Sequence, residues 1–221
     1  MCKDKFLKIP SNSFERIPLY LSVLKNLESK NIKYISSSEL SKTLNENASV
    51  IKKDLSFLTT KEGKPKVGYE VKQLICDIEK VLGFKQSMKA IIVGIGTLGT
   101  SLLKYTGFEE KGLNIVAGFD VNQNIIGTKI NDKMIYHTNE IKSFVLGKDI
   151  KFGIITTPAE FAQETANSLV ECGIQAIWNF TPSHLEIPKD VVVRNENLAT
   201  SFAILSQKLQ EKLMEDSNGK E

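Results

Sequence analysis

Residues 91–99 read IIVGIGTLG, an apolar run that breaks into glycines at 94, 96 and 99 with the spacing G-x-G-x-x-G. In a strand-to-helix turn each glycine has its own task. Gly94 permits the tight turn, Gly96 removes the side chain where backbone must approach a diphosphate, and Gly99 lets helix pack closely on strand. The diphosphate then rests on N–H groups at the start of the helix, which brings Ile95, Thr97 and Leu98 into the candidate set. Asp120 stands about 20 positions onward, where a carboxylate can hydrogen-bond ribose hydroxyls, with Val121 beside it. A carboxylate there repels a 2′-phosphate, and no Arg follows closely, so the pair of motifs favours NAD(H) over the phosphorylated cofactor. Glycine-rich turns also arise for packing alone, so the elements around the motif must decide.

Those elements fit. Lys89 to Val93 reads as a short buried strand, and Leu98, Leu102, Leu103 and Tyr105 suit the following helix. The run Asn114 to Asp120 is a second strand, and 149–158 and 175–180 are two more, separated by a helical segment. The pattern predicts an α/β unit, a Rossmann doubly wound parallel sheet. Thr157, Pro158, Asn179 and Phe180 follow predicted strand ends, where ligands bind in this architecture. An apolar pocket there favours the neutral reduced nicotinamide ring over the charged oxidised one. Pro158 and Pro182 are equally readable as loop punctuation.

Before this sheet, Leu19, Tyr20, Val23, Leu24 and Leu27 fall at helical spacing and predict a helix from Pro18 to Leu27. Ser36 and Glu39 have capping-box spacing and open a second helix with Leu40 and Leu44 inward. Asn45-Glu46-Asn47 breaks it, and Ala48 to Leu58 resumes with Val50, Ile51, Leu55 and Leu58 inward, a helix-turn-helix pattern. Its outward face carries Ser49, Lys52, Lys53 and Ser56, groups that suit phosphates and base edges in a major groove, although a solvated face of a small bundle looks the same. The turn-rich stretch 59–71 leads into a strand like the wing of a winged helix, and Lys61, Lys64 and Lys66 could reach flanking phosphates. A further helix is predicted from Val71 to Leu82.

The 221 residues suffice for one or two domains with real cores. No run of 18 apolar residues occurs, and MCKDKFLKIP lacks the hydrophobic region of a signal peptide, so a cytoplasmic protein with no membrane partner is expected. Cys2, Cys76 and Cys172 show no zinc or C-x-x-C spacing, which leaves neither a metal site nor a disulfide framework in view. The net charge of +3 conceals an asymmetry: residues 1–87 carry 16 Lys and Arg against 10 Asp and Glu, and the remainder carries 13 against 16. A basic first part joined to a mildly acidic nucleotide unit implies that only the first meets a polyanion, and double-stranded DNA is the expected one.

Motifs in order along nearly the whole chain resemble the Rex family of redox-sensing transcriptional repressors. They include Arg16-Ile17-Pro18-Leu19-Tyr20, Ser36-Ser37-Ser38-Glu39-Leu40, Lys52-Lys53-Asp54-Leu55-Ser56-Phe57, Val67-Gly68-Tyr69, the glycine motif, Phe119-Asp120, Thr157-Pro158-Ala159 and Asn179-Phe180-Thr181-Pro182. The resemblance implies a winged-helix DNA-binding domain over 1–85, a Rossmann NAD(H)-binding domain over 86–196, and a C-terminal helix and tail over 197–221. That helix would swap onto the partner of a homodimer. Leu198, Phe202, Leu205, Leu209 and Leu213 form a stripe fit for this, or for covering the chain's own sheet. Members release operator DNA when NADH accumulates, whereas NAD⁺ competes for the pocket and leaves the DNA-binding form populated.

Some positions depart from the family pattern. Ser22 stands where Arg is usual and Asn197 where Asp is usual, and in the family those two charges pair in the ligand-dependent contacts between domains. Lys52 replaces an Arg and loses its bidentate fork, and the wing is altered. A divergent paralogue with changed DNA specificity or redox response therefore remains an alternative. From another class, a small NAD-dependent oxidoreductase would need a second domain and a proton-transfer group. Only about 30 residues follow the sheet, and His137 and His184 are expected in loops without a carboxylate partner, so no catalysis and no substrate turnover are expected. A regulator that contacts protein instead of DNA is disfavoured by the basic helix and wing.

Overall fold

Helix α1 begins earlier than its proline suggests. The computed structural model describes residues 9–59, 63–64, 67–84 and 87–218, with backbone alone at 198 and 215–218. In it α1 spans Ser11–Ser29 with Pro18 inside, so the expected start at Pro18 is corrected. Pro10 takes the N-cap position, and the buried row Ser13, Ile17, Tyr20, Leu21 and Leu24 fixes the helical face. Pro18 lies on the exposed side. Leu19, expected inward, is 56% exposed because the stripe passes through Tyr20 and Leu21 instead.

After β1 (Tyr34–Ile35), α2 spans Ser37–Leu44 and α3 spans Ala48–Leu58. The capping box forms as the spacing predicts: Ser36 Oγ accepts from Glu39 N at 3.1 Å, and Glu39 Oε2 accepts from Ser36 N at 2.8 Å. The Ser36 backbone N–H and hydroxyl hold the Glu39 carboxyl below its ordinary pKa. The break between helices has a local cause at each end. Asn45 adopts φ 53°, a left-handed conformation that Asn tolerates better than most residues, and Asn47 caps α3 through Ser49 N. Strand β2 (Tyr69–Glu70) pairs antiparallel with β1, and α4 (Val71–Val81) closes the unit. Leu24, Leu40, Ile51, Leu55, Leu74 and Ile78 are almost wholly buried in one cluster, each contributing roughly 1.5–3 kcal/mol of burial.

The chain divides into two compact units, Met1–Gln86 and Ser87–Glu221, and the second is built on one sheet. It contains β3 (Met88–Val93), α5 (Thr97–Lys104), β4 (Leu113–Asp120), β5 (Lys129–Ile130), β6 (Lys133–His137), α6 (Ile141–Val145), β7 (Ile150–Ile155), α7 (Ala162–Glu171), β8 (Ala176–Asn179), β9 (Val192–Asn195) and α8 (Leu198–Asn218). The strand order is β5-β6-β4-β3-β7-β8-β9, parallel except where β5 meets β6. Successive side chains of β3 point to opposite faces. Ile91 and Val93 pack with Ile141, Val145, Ala162 and Ala166 on one face, whereas Ala90 and Ile92 pack with Leu102 and Leu103 on the other. Helices therefore cover both faces, the doubly wound arrangement.

The chain leaves β3 toward β4 and later returns to its other side as β7, so the topological switch point lies at the ends of β3 and β7. Two sequence expectations are corrected in this unit, and the alternative that α8 covers its own sheet falls away. Tyr105 does not continue α5 but follows it as the C-cap, 55% exposed. His137 is the last residue of β6, not a loop residue, and its Nδ1 accepts from Asn139 N at 3.2 Å. The α8 stripe does not cover the sheet of its own chain: Phe202 is 70%, Leu205 65%, Leu209 54% and Leu213 50% exposed.

Candidate functional site

The three motif glycines answer to different neighbours. Gly94 has φ +94°, and a Cβ there would stand 2.7 Å from the backbone of Thr156 and Thr157. A Cβ on Gly99 would overlap the Gly94 carbonyl oxygen, so helix and turn touch backbone to backbone. Around Gly96 no described atom beyond its two chain neighbours lies within 4 Å of an added Cβ, and its φ of −76° suits any residue. The protein explains two of the glycines; the third leaves room for something outside the chain.

The loop is pinned from both sides. Gly94 N donates to Phe119 O at 2.8 Å, and Thr156 Oγ1 donates to Gly94 O at 2.6 Å and Val93 O at 3.1 Å. No side chain caps α5 at Gly96. The first N–H groups of a helix have no partner within it, so those of Thr97 and Leu98 form the anion-seeking end. Asp120 sits at the tip of β4, its Oδ2 accepting from Ile95 N at 2.5 Å and its Oδ1 from Asn122 N at 2.8 Å.

A cavity of about 890 Å³ opens over these groups, within the ~300–1,000 Å³ common for small-molecule sites. Gly94, Ile95, Gly96, Asp120 and Val121 line it, and Thr157 and Pro158 face it from the end of β7. Val121 at 67% and Phe161 at 52% exposure give it apolar walls. The Thr157 hydroxyl oxygen in this lining is buried without a hydrogen-bond partner among the described residues. A bare cradle, a carboxylate at the strand tip and an unpaired buried hydroxyl fit a dinucleotide, with the glycine loop for the diphosphate and Asp120 for a ribose.

Thr97, Leu98 and Gly99 lie at and beneath the helix start, outside the cavity lining. Asn179 and Phe180 are also outside it. Asn179 is wholly buried and its amide is spent within the protein, donating to Ser183 O at 3.0 Å and Asn195 Oδ1 at 2.8 Å and accepting from Thr181 N at 3.0 Å. Phe180 packs on Trp178 at 4.8 Å. Val93 and Thr156 at the strand ends and Glu164, Thr165 and Ser168 of α7 also line the cavity, as do Asn122, Ile125, Thr138, Asn139 and Ile141, none of which the sequence marked as a site residue. The last five flank β5 and β6, strands too short to show a pattern, and only their following Asp120 in the chain hinted at them.

In the first unit Ser49, Lys52, Lys53 and Ser56 are all exposed on α3, which places the expected cations and hydroxyls on one face. The two hydroxyls already make local bonds, Ser49 to Asn47 Oδ1 and Ser56 to Lys53 O. Lys64 is exposed and pairs with Gly68 through two backbone bonds of 2.9 Å. Gly68, at φ +90°, lies so close to the Ile35 carbonyl that a Cβ would overlap it. Lys61 and Lys66 fall outside the described residues. Asp54 was unmarked by the outward-face reading: it is buried on α3, and Arg16 of α1 binds it with both Nε (2.8 Å) and Nη2 (3.0 Å) while Tyr20 donates to its Oδ2. Its spacing from Ile51 and Leu58 already put it on the inward face, which was the available signal.

Fold and site define the class: a winged-helix protein carrying a Rossmann-type nucleotide unit. Two family models match, the "CoA binding domain" over residues 85–183 and the "Putative DNA-binding protein N-terminus" over residues 8–56. The redox-sensing transcriptional repressor Rex of Bacteroides fragilis is 40% identical over 202 residues, covering 91% of each chain. RSP, a Rex-family repressor, is similar in its solved complex with beta-NAD+ and operator DNA, at TM-score 0.87 and 35% identity over 96% of this chain and 97% of that one. Its complex with beta-NADH matches at TM-score 0.87 and 34% identity over 95% and 98%. The chain belongs to the Rex family of redox-sensing transcriptional repressors.

Among the described residues no helix is long and apolar enough to cross a membrane, and no group of three or more His, Cys, Asp or Glu side chains could hold a metal ion.

Proposed function

We propose that this chain represses transcription from operator DNA in the cytoplasm and leaves that DNA when NADH fills the cavity of its second unit. The observation that carries the reading is Gly96, whose missing side chain no described atom requires, in a member of a family whose solved relatives hold beta-NAD+ and beta-NADH. The loop amides of Thr97 and Leu98 take the diphosphate, Ile95 lines the cavity with its own N–H held by Asp120, Gly94 and Gly99 shape the turn, Asp120 and Val121 take the adenosine end, and Thr157 and Pro158 face the nicotinamide. Asn179 and Phe180 act from behind the wall by holding its shape. Ser49, Lys52, Lys53 and Ser56 face the DNA groove, and Lys61, Lys64 and Lys66 its flanking phosphates.

Bound dinucleotide supplies one signal, the charge of its ring. A switch works only if NADH binds the DNA-incompetent form more tightly than the competent one. The apolar wall at Pro158 and Phe161 favours a neutral ring on desolvation grounds. The chain senses the cofactor and does not turn over a substrate. It works as a homodimer through α8, whose exposed Phe202, Leu205, Leu209 and Leu213 form a contiguous apolar stripe that a second copy would cover. The domain bounds 1–85, 86–196 and 197–221 are proposed with it. Calorimetry with NADH and NAD⁺, and light scattering of Leu205→Glu, test the two parts. NADH heat with a dimer that Leu205→Glu converts to monomer is expected. No heat with either cofactor, or steady oxidation of NADH with a carbonyl substrate, contradicts the reading.

A further inference from the structure

We infer that Asp54 is a positioning residue for DNA contact, the anchor through which α1 sets the rotation of the recognition helix α3. The inference rests on the DNA-binding reading given above. Its starting point is a carboxylate in an unusual place: the side chain of Asp54 is 1% exposed, directly after the exposed Lys52 and Lys53. Three donors from α1 converge on it. Arg16 Nε lies 2.8 Å from Oδ2, Arg16 Nη2 lies 3.0 Å from Oδ1, and the Tyr20 hydroxyl donates to Oδ2 at 2.5 Å. Arg16 Nη2 also reaches Ser13 Oγ at 3.5 Å.

Stability alone does not call for this cluster, because well-packed apolar side chains of similar volume often do as well as a buried ion pair or better. Direction is what it adds. Burial of Ile51, Leu55 and Leu58 sets which face of α3 turns inward but holds its rotation only coarsely, since apolar attraction is non-directional. A two-point guanidinium–carboxylate fork fixes both distance and angle. A rotation of about 20° would carry a group at the helix surface, about 5–6 Å from the axis, through about 2 Å. That shift is enough to break a hydrogen bond to a base edge or phosphate. The fork joins residues 38 apart in sequence, so it ties α3 to α1 and not to its own neighbours.

The test uses the full chain, a fluorescent operator duplex and two mild substitutions. Arg16→Lys keeps the charge and loses the fork. Tyr20→Phe keeps the ring and removes one donor. Both variants should retain the wild-type circular dichroism and NADH affinity within about twofold, while DNA affinity falls about tenfold or more in Arg16→Lys and about threefold in Tyr20→Phe. The salt dependence of binding should flatten by about one phosphate contact. Wild-type DNA affinity in folded variants, measured well below their melting points, overturns the inference even if those melting points drop. Should Arg16→Lys fail to fold, Tyr20→Phe decides alone. Failure of the wild-type chain to bind DNA would instead strike the functional reading beneath it.

Discussion

Asp120 at the end of β4 accepts a 2.5 Å hydrogen bond from the backbone N–H of Ile95, in the glycine loop after β3. The carboxylate proposed to hold a ribose thus also braces the loop proposed to hold the diphosphate. Its other oxygen takes Asn122 N at 2.8 Å. Each carboxylate oxygen has a second lone-pair direction to offer.

Asp120→Asn should therefore weaken NADH binding without unfolding the sheet. Hydrogen bonds to a charged group are worth about 1.5–3 kcal/mol, so the expected loss is roughly 10- to 100-fold in Kd, with reduced discrimination against NADPH. Isothermal calorimetry reads both. An unchanged Kd would remove Asp120 from the site.

The glycines separate ligand from packing. Gly96→Val meets no described atom at its Cβ and should leave the melting temperature within a few degrees of wild type while abolishing NADH binding. Gly99→Ala drives a methyl against the Gly94 carbonyl and should cost stability first, by about 1–3 kcal/mol. Chemical denaturation together with NADH titration distinguishes the two patterns, and normal NADH affinity in Gly96→Val would contradict the cradle.

Much of this was legible in advance. Hydrophobic periodicity located α2 and α3, and the two asparagines between them marked a turn whose left-handed and capping geometry they now explain. The glycine spacing and Asp120 located the cavity. What the sequence hid has physical causes. Pro18 looked like a helix start because proline usually breaks helices, yet the buried row from Ser13 to Leu24 extends α1 around it. Asn179 looked like a ligand contact because it ends a strand, but its amide is consumed in tying β8 to β9. Asn122, Ile125, Thr138 and Asn139 come from the segments flanking a short hairpin, which have no period of their own.

Asp54 and Tyr20 predict how the first unit responds to pH. Burial alone would raise the Asp54 carboxyl, but the bonds from Arg16, Tyr20 and Ser13 outweigh it and hold the group below its ordinary value. Its stabilising contribution is present above the unfolded pKa near 3.9 and is lost as pH falls through the lower folded value. Burial, then the bond to Asp54, pushes the Tyr20 phenol up to about 12. That contribution, on the order of 2–3 kcal/mol, is present below pH ~10 and is lost as pH rises toward 12. Thermal melts across pH should show a plateau between these limbs, and Tyr20→Phe should flatten the alkaline one. An alkaline limb unchanged in that variant would be contrary to the assignment.

Asn197 caps α8, accepting from Thr200 N at 3.0 Å, and Asp caps as well as Asn. Restoring the family pattern with Ser22→Arg and Asn197→Asp together should keep the fold and lower the NADH concentration for half-release of DNA by about threefold or more. Either change alone should do less. The measurement is NADH-dependent release for all four proteins; identical curves would show that these positions take no part in the response.

Whether NADH binding releases DNA is decided by titrating NADH into a complex of this chain with a fluorescent operator duplex selected from random sequence. Anisotropy is expected to fall to the free-DNA value with NADH and to change hardly at all with the same concentration of NAD⁺. Undiminished anisotropy while calorimetry shows NADH bound would contradict it.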